Sequence, residues 1–433
     1  MCKEVGKLQK LIGLCSRYGY LHPSGVRGCY DYGPLGTMLR RNIQNEWWTS
    51  MVSSQEDMFG LETSQLQTTI FRNANYTDDL STNSNDHHRL FVVPSTNRAQ
   101  ALLPADEENE GAEIGTTSKH RVQRKMDRTL RDSLSYGSLA QYHNTLQLVN
   151  RRLPFGHAQI GKCFKQTNLS DQLADENEDR YIFNVPEFTQ MMVQFFCSPR
   201  TADRWMIDWQ RDRLQWWRKF SGAPSSFQMS ETKQSDLLRT TNIQFQFPWG
   251  METIERISNR GSSELEIPQR EKGQDMHGRD GRKSVLPQVI EMVCGLERGI
   301  LALLLDSYQE KEKIYTKAQI NQRQVLRLHV RLAPIKVAVL PIKGTKEIVE
   351  VCDYLAKELR KQNISCHRVN ELSPAIGHNV SRFDEMGIPF VVLLSENTLK
   401  TGMVRLRHRD TTVMQQLHIT EVRETFQNHL EAS

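Results

Sequence analysis

The segment Glu187-Phe-Thr-Gln-Met-Met-Val-Gln-Phe-Phe196 constrains the fold of this chain most tightly, because it alternates as a strand does and one of its faces carries no charge. Successive side chains of a strand point to opposite faces. Thr189, Met191, Val193 and Phe195 therefore share one face, and Gln190, Met192 and Gln194 share the other. The second face is neutral.

The pattern changes at Ala333. The residues beyond it predict a strand over 335–340, a helix over 346–361, a strand over 364–369, a helix near 382–386 and a strand over 390–395. Strands over 403–407 and 414–419 and a short final helix follow. This alternation implies a compact α/β unit, in which the 346–361 helix buries Ile348, Val351, Cys352, Leu355 and Leu359.

Upstream, Leu35, Leu39, Ile43 and Trp47 recur at four-residue spacing after Pro34, which puts one apolar stripe on a helix. Residues 201–220 predict an amphipathic helix with Trp205, Trp209, Trp216 and Phe220 on one side and Arg211, Arg218 and Lys219 elsewhere. Tryptophans so spaced read as core, with a stacking platform for bases as the alternative. Residues 63–118 are polar, include Asp106-Glu-Glu-Asn-Glu110, and predict a partly disordered insertion. Only Val122 to Val149 then shows a helical pattern, through Met126, Leu130, Leu134 and Leu139.

A chain of 433 residues that is 38% hydrophobic can bury the cores of two or three domains without disulfides. Its eight cysteines are scattered, with no Cys-x-x-Cys pair and no zinc-ligand spacing, so a reducing compartment and no structural metal are expected. No run approaches the roughly 18 apolar residues of a membrane span, and none at the start has the form of a signal peptide. A net charge of +5 permits nucleic-acid binding without requiring it.

Leu11-Ile-Gly-Leu-Cys-Ser-Arg-Tyr-Gly-Tyr-Leu-His-Pro-Ser24 and Arg27-Gly-Cys-Tyr-Asp-Tyr-Gly-Pro-Leu-Gly36 resemble the opening of glycyl-tRNA synthetases, which are class II synthetases. The likeness continues through Glu187-Phe-Thr-Gln190, Pro287-Gln-Val-Ile-Glu291 and Gly295-Leu-Glu-Arg298, and into a C-terminal region similar to their anticodon-binding domain. A narrower and closer resemblance joins Leu148-Val-Asn-Arg-Arg-Leu-Pro-Phe-Gly156, Leu214-Gln-Trp-Trp-Arg-Lys-Phe220, His277-Gly-Arg-Asp-Gly-Arg-Lys283 and Arg407-His-Arg-Asp-Thr-Thr412 to the accessory subunits of mitochondrial DNA polymerase gamma, themselves related to those synthetases.

The resemblance implies an α+β chain: a class II synthetase-like antiparallel sheet domain with a helical insertion, then an α/β anticodon-binding-like domain. It implies boundaries at residues 1–62 and 151–332 for the synthetase-like parts, 63–150 for an insertion used in dimerisation, and 333–433 for the last domain. It also implies a homodimer, with the 35–47 stripe either at the dimer interface or in an ordinary core. Met1-Cys-Lys-Glu-Val-Gly-Lys7 lacks the Arg- and Ser-rich, acid-poor character of a transit peptide, so a mitochondrial location rests on the resemblance.

Against that pattern the catalytic positions are depleted. Where the glycyl enzymes have Phe-Arg-x-Glu, this chain has Phe164-Lys-Gln-Thr167: Lys165 keeps a charge without the bidentate fork, and Thr167 replaces a carboxylate. Met192 and Gln194 stand where the family carries glutamates, and Glu291-Met-Val-Cys-Gly295 replaces Glu-Pro-Ser-Phe-Gly. Glu291 and Arg298 remain, and Arg298 is expected to hold either a nucleotide or a nearby carboxylate such as Glu291. Gly278-Arg-Asp-Gly-Arg-Lys-Ser284 misses the phosphate-loop spacing because Arg282 occupies the place of the second glycine. No catalytic residue, cofactor or metal is expected.

Two basic groups remain as candidates for phosphate contacts on double-stranded DNA. Arg270, Lys272, Arg279, Arg282 and Lys283 form the first, diluted by Glu271, Asp275 and Asp280, with a solvated loop as the alternative. Arg323, Arg327 and Arg331 form the second, and their spacing would align them if that segment were helical. Arg405, Arg407 and Arg409 lie on one side of a candidate strand, as a solvated face or a docking patch. The expected role is a non-catalytic processivity subunit that binds the catalytic subunit of the mitochondrial polymerase and duplex DNA; the alternative is a glycyl-tRNA synthetase activating glycine with ATP.

Overall fold

The computed structural model of the chain describes residues 2–26, 28–68, 92–93, 128–165, 180–233, 239–316, 319–342, 345–369 and 376–431. At its centre is a seven-stranded sheet ordered β1 (Met58–Leu61), β2 (Phe155–Phe164), β3 (Glu187–Cys197), β7 (Gln288–Gly295), β6 (Gly250–Asn259), β5 (Arg239–Phe247) and β4 (Phe227–Lys233). β1 is parallel to β2, and the other neighbours are antiparallel.

β3 has a strand on each side and every residue from Thr189 to Cys197 is buried, so both faces need cover. The alternation of its side chains divides two packing layers. Met191, Val193, Phe195 and Cys197 enter the main core, where they meet helices α1 (Cys2–Arg17), α2 (Pro34–Trp48), α4 (Ala202–Lys219) and α6 (Leu296–Ser307). On the opposite face Met192 packs with Leu134, Cys163 and Val293. Phe196 lies there with Phe155, with Tyr142 and Leu146 of α3 (Ser135–Leu148), and with Leu265 of α5 (Ser263–Lys272).

α2 starts on Pro34, whose fixed φ and missing N–H suit a first helical turn. Its stripe of Leu35, Leu39, Ile43 and Trp47 is buried in the chain's own core. Gly36 allows the helix to approach so closely that a Cβ there would lie 1.8 Å from the Tyr20 carbonyl oxygen. α4 carries Asp203 in its first turn and Arg218 and Lys219 in its last, each complementing the helix dipole. Trp209, Trp216, Trp217 and Phe220 are buried and Trp205 is half-buried against the same core, so the core reading holds for this helix and the stacking platform does not. Arg213 is buried beside them and forks onto Glu255 at 2.7 and 3.1 Å.

A hairpin of β8 (Tyr308–Thr316) and β9 (Gln319–Leu326) leads to a second sheet ordered β11 (Cys366–Arg368), β10 (Val337–Pro341), β12 (Phe390–Leu394), β13 (Met403–His408) and β14 (Met414–His418). β10 is parallel to β11 and β12, and the remaining pairs are antiparallel. α7 (Lys346–Lys361) buries Ile348, Cys352, Leu355 and Leu359 against one face of this sheet. The other face turns Ala338, Leu340, Val391 and Leu393 into the main core, together with Phe383 of α8 (Ile376–Glu385). The two sheets therefore share one apolar interior.

α8 begins before the expected 382–386, and the short helix α9 (Glu396–Thr401) was not expected from the pattern, whereas the expected final helix is α10 (Val422–Glu431). Ser395 and Thr398 form the capping box that starts α9. The helical reading of 122–149 needs correction: Arg128–Leu130 is a strand paired with Leu66–Thr68, and the helix starts only at Ser135. Three-residue pairing overrides the weak period there. Most of the 63–118 segment lies outside the described residues.

Candidate functional site

The neutral face of β3 is the floor of the candidate site, and the register with its neighbours fixes what surrounds it. Gln194 lies between His157 of β2 and Glu291 of β7, and Met192 lies between Gln159 and Val293. The chain immediately before α3 crosses this floor and bonds to it. Leu134 N donates to Gln190 Oε1 at 2.8 Å, and Gln159 Nε2 donates to the Leu134 carbonyl at 3.1 Å. Ser135 Oγ donates to Glu291 Oε2 at 2.8 Å, and Gln194 Nε2 donates to the same oxygen at 2.9 Å. Arg260 Nε stands 3.8 Å from the other oxygen of Glu291 and donates to Glu264 at 2.9 Å.

These contacts fill the face. A cavity of about 40 Å³ remains, lined by Asp132, Phe188, Gln190, Arg256, Ser258, Glu291 and Val293. A single water needs about 10–15 Å³, whereas small-molecule sites run from about 300 Å³. Among the described residues the space is the size of a few waters.

Arg298 does not pair with Glu291, which corrects that expectation. From α6 its Nε donates to the Phe183 carbonyl at 3.1 Å, its Nη2 to Asn184 Oδ1 at 2.9 Å and its Nη1 to the Thr253 carbonyl at 3.4 Å. The guanidinium lies 4.3 Å from the Phe183 ring centroid. Burial lowers its pKa to about 10. The neighbouring Glu297 is also buried; desolvation raises its pKa, against the Thr189 N–H that donates to it at 2.8 Å. Lys165 follows the end of β2, with its N–H on the Pro186 carbonyl at 2.7 Å. Thr167 lies outside the described residues.

The first basic group divides between two elements. Arg270 is exposed on α5 and Lys272 is the last residue of that helix. Arg279, Arg282 and Lys283 are exposed on a small hairpin of Gly278–Asp280 and Lys283–Val285, turned at Gly281 with φ +61°. The hairpin is anchored at its base: Leu153 N donates to the Arg279 carbonyl at 3.0 Å, and Ser198 Oγ donates to Asp280 at 2.7 Å. A rigid base with cationic side chains held in water suits contact with phosphates.

The second group is not a helical stripe. Arg323 is in strand β9 and ion-pairs with Asp384, whereas Arg327 and Arg331 follow the strand. Arg327 Nε donates to Asp410 at 3.1 Å and Arg331 Nε donates to Glu46 at 2.8 Å. Each of these charges meets a carboxylate distant in sequence, which the four-residue spacing could not reveal. Arg407 and Arg409 correct the reading of the 405–409 face in the same way. Both are buried, while Arg405 is exposed. Arg407 forks onto Asp384 at 3.0 and 3.0 Å, and Arg409 donates to the carbonyls of Leu326, Leu328 and Gly387 at 2.8–2.9 Å.

The segment around Leu134 and Ser135 was missed as a part of this site. Its only trace in the sequence is a neutral strand face that some other element has to cover.

Among the described residues there is no cluster of His, Cys, Asp and Glu able to hold a metal ion, and no helix is long and apolar enough to cross a membrane. Residues 336–429 match the anticodon binding domain family. The chain is 34% identical over 411 residues to the mitochondrial DNA polymerase subunit gamma-2 of Xenopus laevis, covering 94% of this chain and 83% of the relative. It is 33% identical to DNA polymerase subunit gamma-2 of Bos taurus, covering 98% of this chain and 86% of the relative. It is also 31% identical to the glycine–tRNA ligase of Corynebacterium glutamicum, covering 95% of each. With this likeness along nearly its whole length, the chain belongs to the DNA polymerase subunit gamma-2 family, to which the glycine–tRNA ligases are related in sequence.

Proposed function

We propose that this protein is the non-catalytic accessory subunit of a mitochondrial DNA polymerase. It binds the catalytic subunit, contacts duplex DNA without reading its sequence, and lengthens synthesis at each encounter. The observation that carries this reading is the 34% identity with a DNA polymerase subunit gamma-2 across 94% of the chain. The name of that relative also supports a mitochondrial location.

The covered face of β3 supports the non-catalytic half of the reading. A class II synthetase must hold ATP and an amino-acid ammonium together, and a buried ammonium needs a carboxylate partner. Here Met192 and Gln194 occupy the floor, and Ser135 and Gln194 already engage Glu291. The fold we infer is that of a class II synthetase with an inserted dimerisation segment within 63–150 and an anticodon-binding-like domain from 333. The protein acts as a homodimer.

DNA contact falls to Arg279, Arg282 and Lys283 on the exposed hairpin, with Arg270 and Lys272 of α5 beside them in sequence. Arg323, Arg327 and Arg331 play a lesser part, because their side chains bind Asp384, Asp410 and Glu46.

The deciding experiment is primer extension by the mitochondrial catalytic subunit on a long single-stranded template at moderate salt, limited to one encounter per primer. Longer products with this protein present are expected. Unchanged product length with a folded preparation and its cognate polymerase overturns the reading. Glycine-dependent ATP–pyrophosphate exchange would restore the synthetase alternative, which the 31% identity with a glycine–tRNA ligase keeps as the rival.

A further inference from the structure

A cleft opens where the central sheet loses its edge strand. β1 pairs with β2 from Gly156 to Gln159, but β2 runs on to Phe164; among the described residues no strand continues β1 along that edge, and the Phe164 N–H at its end donates to the Arg131 carbonyl at 2.9 Å. The cleft has a volume of about 310 Å³, and its walls include Arg40 and Gln44 of α2, Glu62, Arg131, Lys162 and Thr189. None of Lys165, Met192, Gln194, Glu291 and Arg298 lines it.

Three of these wall residues are cations and one is a carboxylate. Lys162 has a counter-ion in Glu187 at 2.8 Å, but both side chains are substantially exposed, so the pair is weak and screened. Arg131 is buried at 5% exposure, and among the described residues its donors meet neutral acceptors: the carbonyls of Lys162, Thr63 and Ser64 and the Thr63 hydroxyl, at 2.7–3.2 Å. Arg40 donates from Nη2 to Thr189 Oγ1 at 2.7 Å, while its Nε is buried with no hydrogen-bond partner. Glu297 does not supply one, since it accepts from the Thr189 N–H and its Oε1 is itself without a partner.

A buried guanidinium donor without an acceptor is costly, and a planar fork is matched best by a carboxylate or a phosphate. Glu187 pairs with Lys162, and the Glu297 carboxylate feels the charges of Lys162 and Arg40, so the orphaned donor of the Arg40 fork rather than net charge argues for a phosphate. The volume is at the lower end of small-molecule sites, which run from about 300 to 1,000 Å³. That excludes a duplex and suits a diphosphate or a single nucleotide. We propose that this cleft is a phosphate-binding site, with Arg40 as the direct contact, Lys162 as a second contact, and Arg131 as a fixed positive charge behind them.

Titration calorimetry of the full chain with pyrophosphate at low ionic strength tests this, because salt screens such contacts. One saturable site per chain is expected. Arg40→Gln should weaken binding at least about tenfold and Lys162→Gln less, whereas Lys361→Gln, at an exposed cation elsewhere, should leave it unchanged; melting curves establish that each variant is folded. A parallel titration with a deoxynucleoside monophosphate identifies the source of the phosphate: tighter binding of the nucleotide assigns a nucleotide site, and preference for pyrophosphate assigns an inorganic one. The absence of saturable binding for both probes, or wild-type affinity in folded Arg40→Gln and Lys162→Gln, overturns the proposal. Since neither probe involves the polymerase, its failure is distinguishable from a failure of the processivity reading.

Discussion

Ser135 Oγ and Glu291 Oε2 are joined by a 2.8 Å hydrogen bond that ties the start of α3 to the middle of β7. The bond fastens backbone across a face where a synthetase would need open space. Glu291 accepts there from both Ser135 and Gln194.

Ser135→Ala should destabilise the protein without creating activity. The Glu291 carboxylate would keep Gln194 at 2.9 Å and lose its hydroxyl donor. Losing one hydrogen bond to a charged group costs about 1.5–3 kcal/mol. Urea unfolding should show a lower midpoint with an unchanged slope.

Asp384 is a second point of concentration, since it accepts both nitrogens of the Arg407 fork at 3.0 Å and also pairs with Arg323. Asp384→Asn removes the charge and leaves Arg407 buried. Breaking one side of a buried pair costs about 3–5 kcal/mol. Thermal unfolding should shift down by several degrees, whereas Glu358→Gln, which breaks the exposed pair with Lys361, should change little.

His157 makes stability depend on pH. It is fully buried, 3.0 Å from Ser138 Oγ and 2.9 Å from Thr145 Oγ1, and burial lowers its pKa from 6.5 to about 4. The native state therefore holds it neutral, while the unfolded chain takes up a proton near pH 6.5. Between pH 6.5 and about 4 the unfolded state binds more protons, so this contribution rises with pH and is lost as pH falls through that window. One such group gives a slope of at most about 1.4 kcal/mol per pH unit. Denaturation at pH 7, 5.5 and 4.5 measures the slope, and His157→Gln should flatten it even where it lowers stability overall.

Replacing Arg279, Arg282 and Lys283 together by glutamine should weaken duplex binding for all sequences alike. Each phosphate contact adds about 0.9 to the slope of log affinity against log salt, so three lost contacts lower it by up to about 2.7. Fluorescence anisotropy across a salt series reads that slope directly. An unchanged slope would remove the hairpin from the DNA surface.

The parts of the fold that could be read from sequence are those set by near neighbours. The alternation of Glu187 to Phe196, the stripe of Leu35, Leu39, Ile43 and Trp47, and the helix from Lys346 to Lys361 all repeat at the period of the element they build. The fate of the charges was hidden, because an arginine does not announce its partner. Arg331 meets Glu46 across 285 positions, and Arg409, besides pairing with Asp410, donates to three backbone carbonyls. What covers the floor of β3 was equally hidden: Ser133, Leu134 and Ser135 are unremarkable until register brings Gln190 and Glu291 beneath them.

Arg409, only 2% exposed, reaches from one sheet to carbonyls on both sides of the junction at Leu326, Leu328 and Gly387. Its Nε also donates to Asp410 at 2.8 Å, so the one guanidinium joins a carboxylate and three backbone atoms. Removing this side chain would strip the donors from three backbone carbonyls at that seam at once.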